Sequence, residues 1–115
     1  MKYDEQLRKI IATRLSLARQ QAGLSQTQAA KLLNVARPTI SEIESGRRKV
    51  TAEELVHFSN IYDVDIKWLS GKDTEHVDEV RDKLQLAARN MAGMKSEDLE
   101  RVIALLTSLK SEVDE

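Results

Sequence analysis

Apolar residues return at intervals of three and four along almost the whole chain, and that spacing leaves little but helix. Leu7, Ile11, Leu15, Ala18 and Ala22 make the first stripe, widened by Ile10 and Leu17. Strand-like alternation of β-branched and polar residues is missing, so the expected class is all-α. Local stop and start chemistry divides the stripe into separate helices. Gly23 predicts a left-handed stop, with Leu24 folding back as the apolar contact of a Schellman cap. Ser25 and Gln28 have the spacing of a capping box, opening a second helix that ends around Leu33. Asn34 then supplies one of the few side chains besides glycine that tolerate positive φ. A third helix begins near Arg37 with Pro38 in its first turn, carries Ile40 and Ile43 inward and ends at Gly46. Thr51 and Glu54 form another capping box, which opens a fourth helix through about Asn60. Asp65 starts a short fifth helix with Ile66, Trp68 and Leu69 as its core face and Gly71 as its end.

The rest of the chain reads differently. Residues 1–71 form the five-helix unit, 72–76 a polar joint and 77–115 a second segment. There Val77, Val80, Leu84, Ala87 and Met91 step by three and four until Gly93 breaks the pattern. Ser96 can cap a last helix, in which Leu99, Val102, Leu106, Leu109 and Val113 repeat the step and Ile103 and Leu105 widen it. The spacing predicts a helical hairpin with two apolar seams. Packing back on its own domain is the plainer use of such a hairpin. Two seams, however, carry more apolar surface than one hairpin hides internally, which favours a homodimer. The expected interface residues are Val80, Leu84, Met91, Leu99, Val102, Ile103, Leu106 and Leu109.

Charge follows the same division. Residues 1–73 carry a balance of +3 and residues 74–115 a balance of −4, within 18 basic and 19 acidic side chains. The basic part suits a polyanion partner and the acidic part does not. Cysteine is absent, which removes disulfides, thiol nucleophiles and thiolate zinc sites. No apolar run approaches the ~18 residues of a membrane span, and Met1-Lys2-Tyr3-Asp4-Glu5 has no signal-peptide character, so a cytoplasmic protein with no membrane association is expected. His57 and His76 stand alone, outside any metal-ligand spacing, and no glycine-rich phosphate loop is present. Neither an enzyme, a metal nor a cofactor is expected.

Two short helices joined by a tight turn, with a basic loop after the second, have the layout of a helix-turn-helix. Ala30 sits where the second helix must come close to the third. With Ile40 and Ile43 turned inward, the third helix offers Arg37, Pro38, Thr39, Ser41 and Glu42 as candidate base contacts. Arg47, Arg48 and Lys49 would by themselves be an ordinary solvated cluster; just past this helix they are expected to meet phosphates, as is Gln26 at the start of the second helix.

At these residues the chain resembles the lambda-repressor-like (Cro/repressor, XRE) family. The resemblance is carried by Gly23-Leu24-Ser25-Gln26, by Ala29-Ala30-Lys31-Leu32-Leu33 and by Val35-Ala36-Arg37-Pro38-Thr39-Ile40-Ser41-Glu42-Ile43-Glu44-Ser45-Gly46-Arg47-Arg48. It continues in Val64-Asp65-Ile66-Lys67-Trp68-Leu69-Ser70-Gly71 and covers roughly residues 7–71. It implies a five-helix domain that docks its third helix in the major groove of double-stranded DNA as half of a dimer. It also implies an internal ion pair between Arg19 and Glu44. Two departures stand out: Ala36 occupies a position where Ser or Thr is frequent, and Asn34 replaces a common glycine. The implied function is a homodimeric repressor of a palindromic operator. The short tail, with Leu86-Ala87-Ala88-Arg89-Asn90-Met91-Ala92-Gly93, also resembles repressors switched off by a partner metallopeptidase. The alternative is an antitoxin whose C-terminal helices grip a toxin protein, with DNA binding serving autoregulation.

Overall fold

In the computed structural model the described residues are 2–90, 95, 97, 98, 100–102, 104, 105, 107 and 108. They are helical, with no strand among them: α1 (Lys2–Gln21), α2 (Gln26–Leu33), α3 (Arg37–Glu44), α4 (Ala52–Tyr62), α5 (Ile66–Leu69) and α6 (Glu79–Asn90). The chain divides into two compact units, Met1–Val77 and Asp78–Glu115.

In the first unit α1 is the central element, packed against α3, α4 and α5, while α2 packs on α3 and α4. Three neighbours demand more than one stripe. Ile10, Ala12, Leu15, Leu17 and Ala18 are all buried, whereas Ala22, expected to extend the stripe, is exposed. Ile40 and Ile43 of α3, Phe58 and Tyr62 of α4, Val64, and Leu69 of α5 complete the core. Each fully buried aliphatic side chain of this size contributes about 1.5–3 kcal/mol.

The helix boundaries follow the local chemistry. Gly23 adopts φ 75°, and the bonds Leu24 N–H to Arg19 O and Gly23 N–H to Gln20 O complete the Schellman pattern. Ser25 and Gln28 close a reciprocal capping box, as do Thr51 and Glu54. The fourth helix runs two residues past the expected end at Asn60, to Tyr62, because Asp63 supplies the left-handed stop (φ 52°). Gly71, at φ 74°, lies against α1, where an added Cβ would come within 2.9 Å of Ile10 Cγ2. A left-handed residue in that space has to be glycine.

The short fifth helix corrects one expectation. Leu69 is fully buried, but Ile66 is 38% exposed and Trp68 is half-buried. Four residues make little more than one turn, which buries one side only. The Trp68 ring instead lies 5.0 Å from the guanidinium of Arg14.

Ala36 has the extended backbone of an N-cap (φ −73°, ψ 147°) but makes no side-chain hydrogen bond. The conformation is already correct, so Ala36→Ser adds an acceptor without rearrangement. It should stabilise the protein by about 1 kcal/mol and raise Tm by roughly 4–8 °C in thermal denaturation. An unchanged Tm would show that water already caps α3 equally well.

The second unit contains α6 and helical backbone at residues 97, 98, 100–102, 104, 105, 107 and 108. Val80, Leu84 and Val102 are half-buried and Leu105 is 63% exposed. Met91, Leu99, Ile103, Leu106 and Leu109, together with Gly93 and Ser96, lie outside the described residues.

Candidate nucleic-acid interface

The α2–turn–α3 segment is set by three small features. Ala29 and Ala30 are buried, which lets α2 approach α3 closely. Asn34 turns the chain in the left-handed region (φ 58°), and Val35 N–H returns to the Ala30 carbonyl at 2.9 Å. Ile40 and Ile43 then anchor α3 from below, at 1% and 2% exposure. Helical geometry leaves the opposite face outward: Arg37 and Pro38 are exposed, and Thr39, Ser41 and Glu42 are half-buried. Arg37 forms no ion pair among the described residues.

The scaffold is locked by a hydrogen-bonded ion pair. Arg19 donates to Glu44 through Nε at 2.7 Å and Nη2 at 3.0 Å, and through Nη1 to the Leu24 carbonyl at 2.8 Å. The two side chains are only 13% and 8% exposed. The Glu44 hydrogen bond, opposed by burial and aided by its charge, raises the Arg19 pKa further above its ordinary value. Gln26 Nε2 also donates to Glu44 Oε1 at 3.2 Å. The expected phosphate contact at the start of α2 is therefore tied to the same carboxylate that joins α1 to α3. Tyr62 interacts electrostatically with this pair, and burial above all pushes its phenol pKa well up.

The cations after α3 are partnered. Glu42 accepts from Arg47 Nε at 2.9 Å and Nη2 at 3.3 Å. The carboxylate of Glu54 accepts from Arg48 Nη1 and Nη2 at 3.1 and 3.0 Å, and its Oε1 also closes the capping box on Thr51 N–H at 2.9 Å. Lys49 is exposed. Burial pushes the Glu54 carboxyl up, but Arg48 and the Thr51 backbone N–H together hold it below its ordinary value of 4.5. A carboxyl depressed in the folded state stabilises the fold above its unfolded pKa and loses that contribution as pH falls through the folded value. Wild type should therefore exceed Glu54→Gln in Tm at about pH 6, and the gap should close below pH 4.5. A constant gap across that window would mean that hydrogen-bond geometry rather than ionisation carries the effect.

Arg14 belongs to no motif in the sequence. It is fully buried; Nη1 and Nη2 donate to Asp73 at 2.6 and 3.1 Å, and Nη1 also donates to the Trp68 carbonyl. A signal was present: Arg14 stands three residues after Ile11 and seven after Leu7, on the face that α1 turns inward. Asp73, read only as part of a polar joint, is the counter-charge.

These features coincide with a family match. Residues 15–69 match the family described as helix-turn-helix. They form an XRE-type helix-turn-helix domain. The match runs from within α1 to the end of α5, so the domain includes the capped turn, both short helices and the basic loop. Over 63 residues the chain is 38% identical to the HTH-type transcriptional regulator ImmR of Bacillus subtilis (strain 168). That stretch is 55% of this chain and 50% of the relative, so the chain spans half the length of the curated relative it matches. No solved structure matches the chain. Among the described residues no helix is long and apolar enough to cross a membrane, and no group of three or more His, Asp or Glu side chains could hold a metal ion.

Proposed function

We propose that the chain is a sequence-specific regulator of transcription that binds double-stranded DNA as a homodimer and represses a palindromic operator. One observation carries the reading: the outward face of α3, with Arg37 and Pro38 exposed, stands on a buried Ile40–Ile43 base inside a helix-turn-helix domain. A helix held in this way can enter a major groove, and two copies related by a twofold axis would read half-sites about 34 Å apart. In this reading Arg37, Pro38, Thr39, Ser41 and Glu42 face the base edges, and Gln26, Arg47, Arg48 and Lys49 serve as phosphate contacts. The C-terminal unit supplies dimerisation, supported by half-buried Val80, Leu84 and Val102 and by the exposed side chain of Leu105. Control through a metallopeptidase acting on the tail, or through a toxin bound by it, would act on this same unit.

Two measurements test the proposal together. Light scattering on the full chain should give twice the 13.0 kDa chain mass. Anisotropy titration with a duplex selected from random sequence should show log K falling against log salt with a slope near −7 to −9, from about four or five phosphates per protomer. A flat salt response rejects DNA binding, and a monomer bound at a single half-site rejects the dimer.

A further inference from the structure

We infer that Glu42 is a positioning residue: it holds the Arg47 guanidinium side-on, leaving that group's end-on pair of N–H donors for a DNA phosphate. The inference rests on the DNA-binding reading and corrects one part of it, the use of Glu42 as a base reader.

The geometry is specific. Both carboxylate oxygens of Glu42 are engaged, Oε2 with Arg47 Nε at 2.9 Å and Oε1 with Nη2 at 3.3 Å. Arginine has five N–H donors in a planar fork. The side-on contact uses the Nε proton and one Nη2 proton, so both Nη1 protons and the other Nη2 proton remain. That remaining edge matches a phosphate in the same bidentate way. A cytosine amino group, by contrast, would have to share an oxygen whose other lone pair already accepts from Arg47, on a carboxylate that this pairing holds beside the loop.

The backbone supports the same assignment. The Glu42 carbonyl accepts from Arg47 N–H at 3.1 Å, Arg48 N–H at 3.2 Å and Ser45 Oγ at 2.9 Å. Gly46, in the left-handed region at φ 80°, turns the chain so that these bonds close. One residue therefore fixes where the loop backbone starts and where the Arg47 side chain lies. The Arg47 hydrogen bond also holds the Glu42 carboxyl below its ordinary pKa, as a formed ion pair does. The two side chains remain 63% and 46% exposed, open to a ligand.

Removing Glu42 also removes a negative charge near DNA, which by itself favours binding. The test cancels that effect by comparing Glu42→Gln with Glu42→Ala, which have equal charge but differ in the acceptor offered to Arg47. Binding to the selected operator and to a random duplex is measured by anisotropy for each variant, alone and combined with Arg47→Ala. Glu42→Gln should bind both duplexes roughly three- to tenfold more tightly than Glu42→Ala, a difference set by one retained charge-assisted hydrogen bond. With Arg47→Ala present the difference should fall below about twofold, as expected for residues acting through one another. Equal affinities overturn the inference, and so does a difference that survives the loss of Arg47. A difference confined to one base pair of the operator also overturns it and returns Glu42 to base reading. If wild type fails to bind DNA at all, the functional reading falls first and this inference with it.

Discussion

Glu44→Ala should destabilise the helix-turn-helix domain by about 2–4 kcal/mol, lowering Tm by roughly 10–25 °C. The size follows from what remains behind. Arg19 is 13% exposed and cannot deprotonate, so its charge stays in a place that water reaches poorly. It keeps the Leu24 carbonyl but loses two charge-assisted bonds, at 2.7 and 3.0 Å. Gln26 loses its acceptor in the same substitution. Removing both charges, as in Glu44→Leu combined with Arg19→Met, should cost clearly less than the sum of the single changes, because no charge is stranded. Urea denaturation of wild type, Glu44→Ala, the two single variants Glu44→Leu and Arg19→Met, and their combination checks this. A loss below 1 kcal/mol for Glu44→Ala, or strict additivity, would show that solvent replaces the carboxylate and that the pair does not lock α1 to α3.

Much of this fold was legible in the sequence because its punctuation is local. A capping box needs two residues three apart, and both Ser25–Gln28 and Thr51–Glu54 form as spaced. A left-handed stop needs one permissive residue, which Gly23, Asn34, Gly46 and Gly71 provide. Asp63 is not legible in this way, because aspartate is ordinary in solvated turns as well and its identity alone does not mark the end of α4. Long-range charge pairing was much less legible. Arg14 and Asp73 are separated by 59 residues, and nothing near either names the other. The pairing of Arg47 with Glu42 and of Arg48 with Glu54 spans only five or six residues, yet it depends on how the loop after α3 bends. A count of cations on that loop treats all three as free clamps, whereas the structure neutralises two of them. Ile66 shows the opposite limit. An apolar residue at helical spacing was expected inside, but a single helical turn has no second side to bury.

Arg37→Ala should weaken binding to the selected operator by roughly 5- to 150-fold, the effect of losing about 1–3 kcal/mol of base discrimination. Three observations single out this residue from the other basic groups near the interface. It lies in the first turn of α3, the part of a recognition helix that comes closest to base edges. Its side chain is exposed, so truncation should leave folding stability within about 0.5 kcal/mol. It has no carboxylate partner among the described residues, so its five donors can go to a guanine edge without breaking an existing pair. Binding to a random duplex should fall much less, and the ratio of operator to random affinity should drop nearly as far as operator affinity itself. Arg48→Ala should behave differently. Its charge is already balanced by Glu54, so its loss should weaken both duplexes alike and change the salt slope by no more than about one. Reselection of sites from random DNA with the Arg37→Ala protein gives the sharper readout, since preference should relax at one position of each half-site and persist at the others. Should Arg37→Ala weaken operator and random DNA by the same factor, the residue is a phosphate clamp, and sequence reading passes to Thr39 and Ser41 on the same helix.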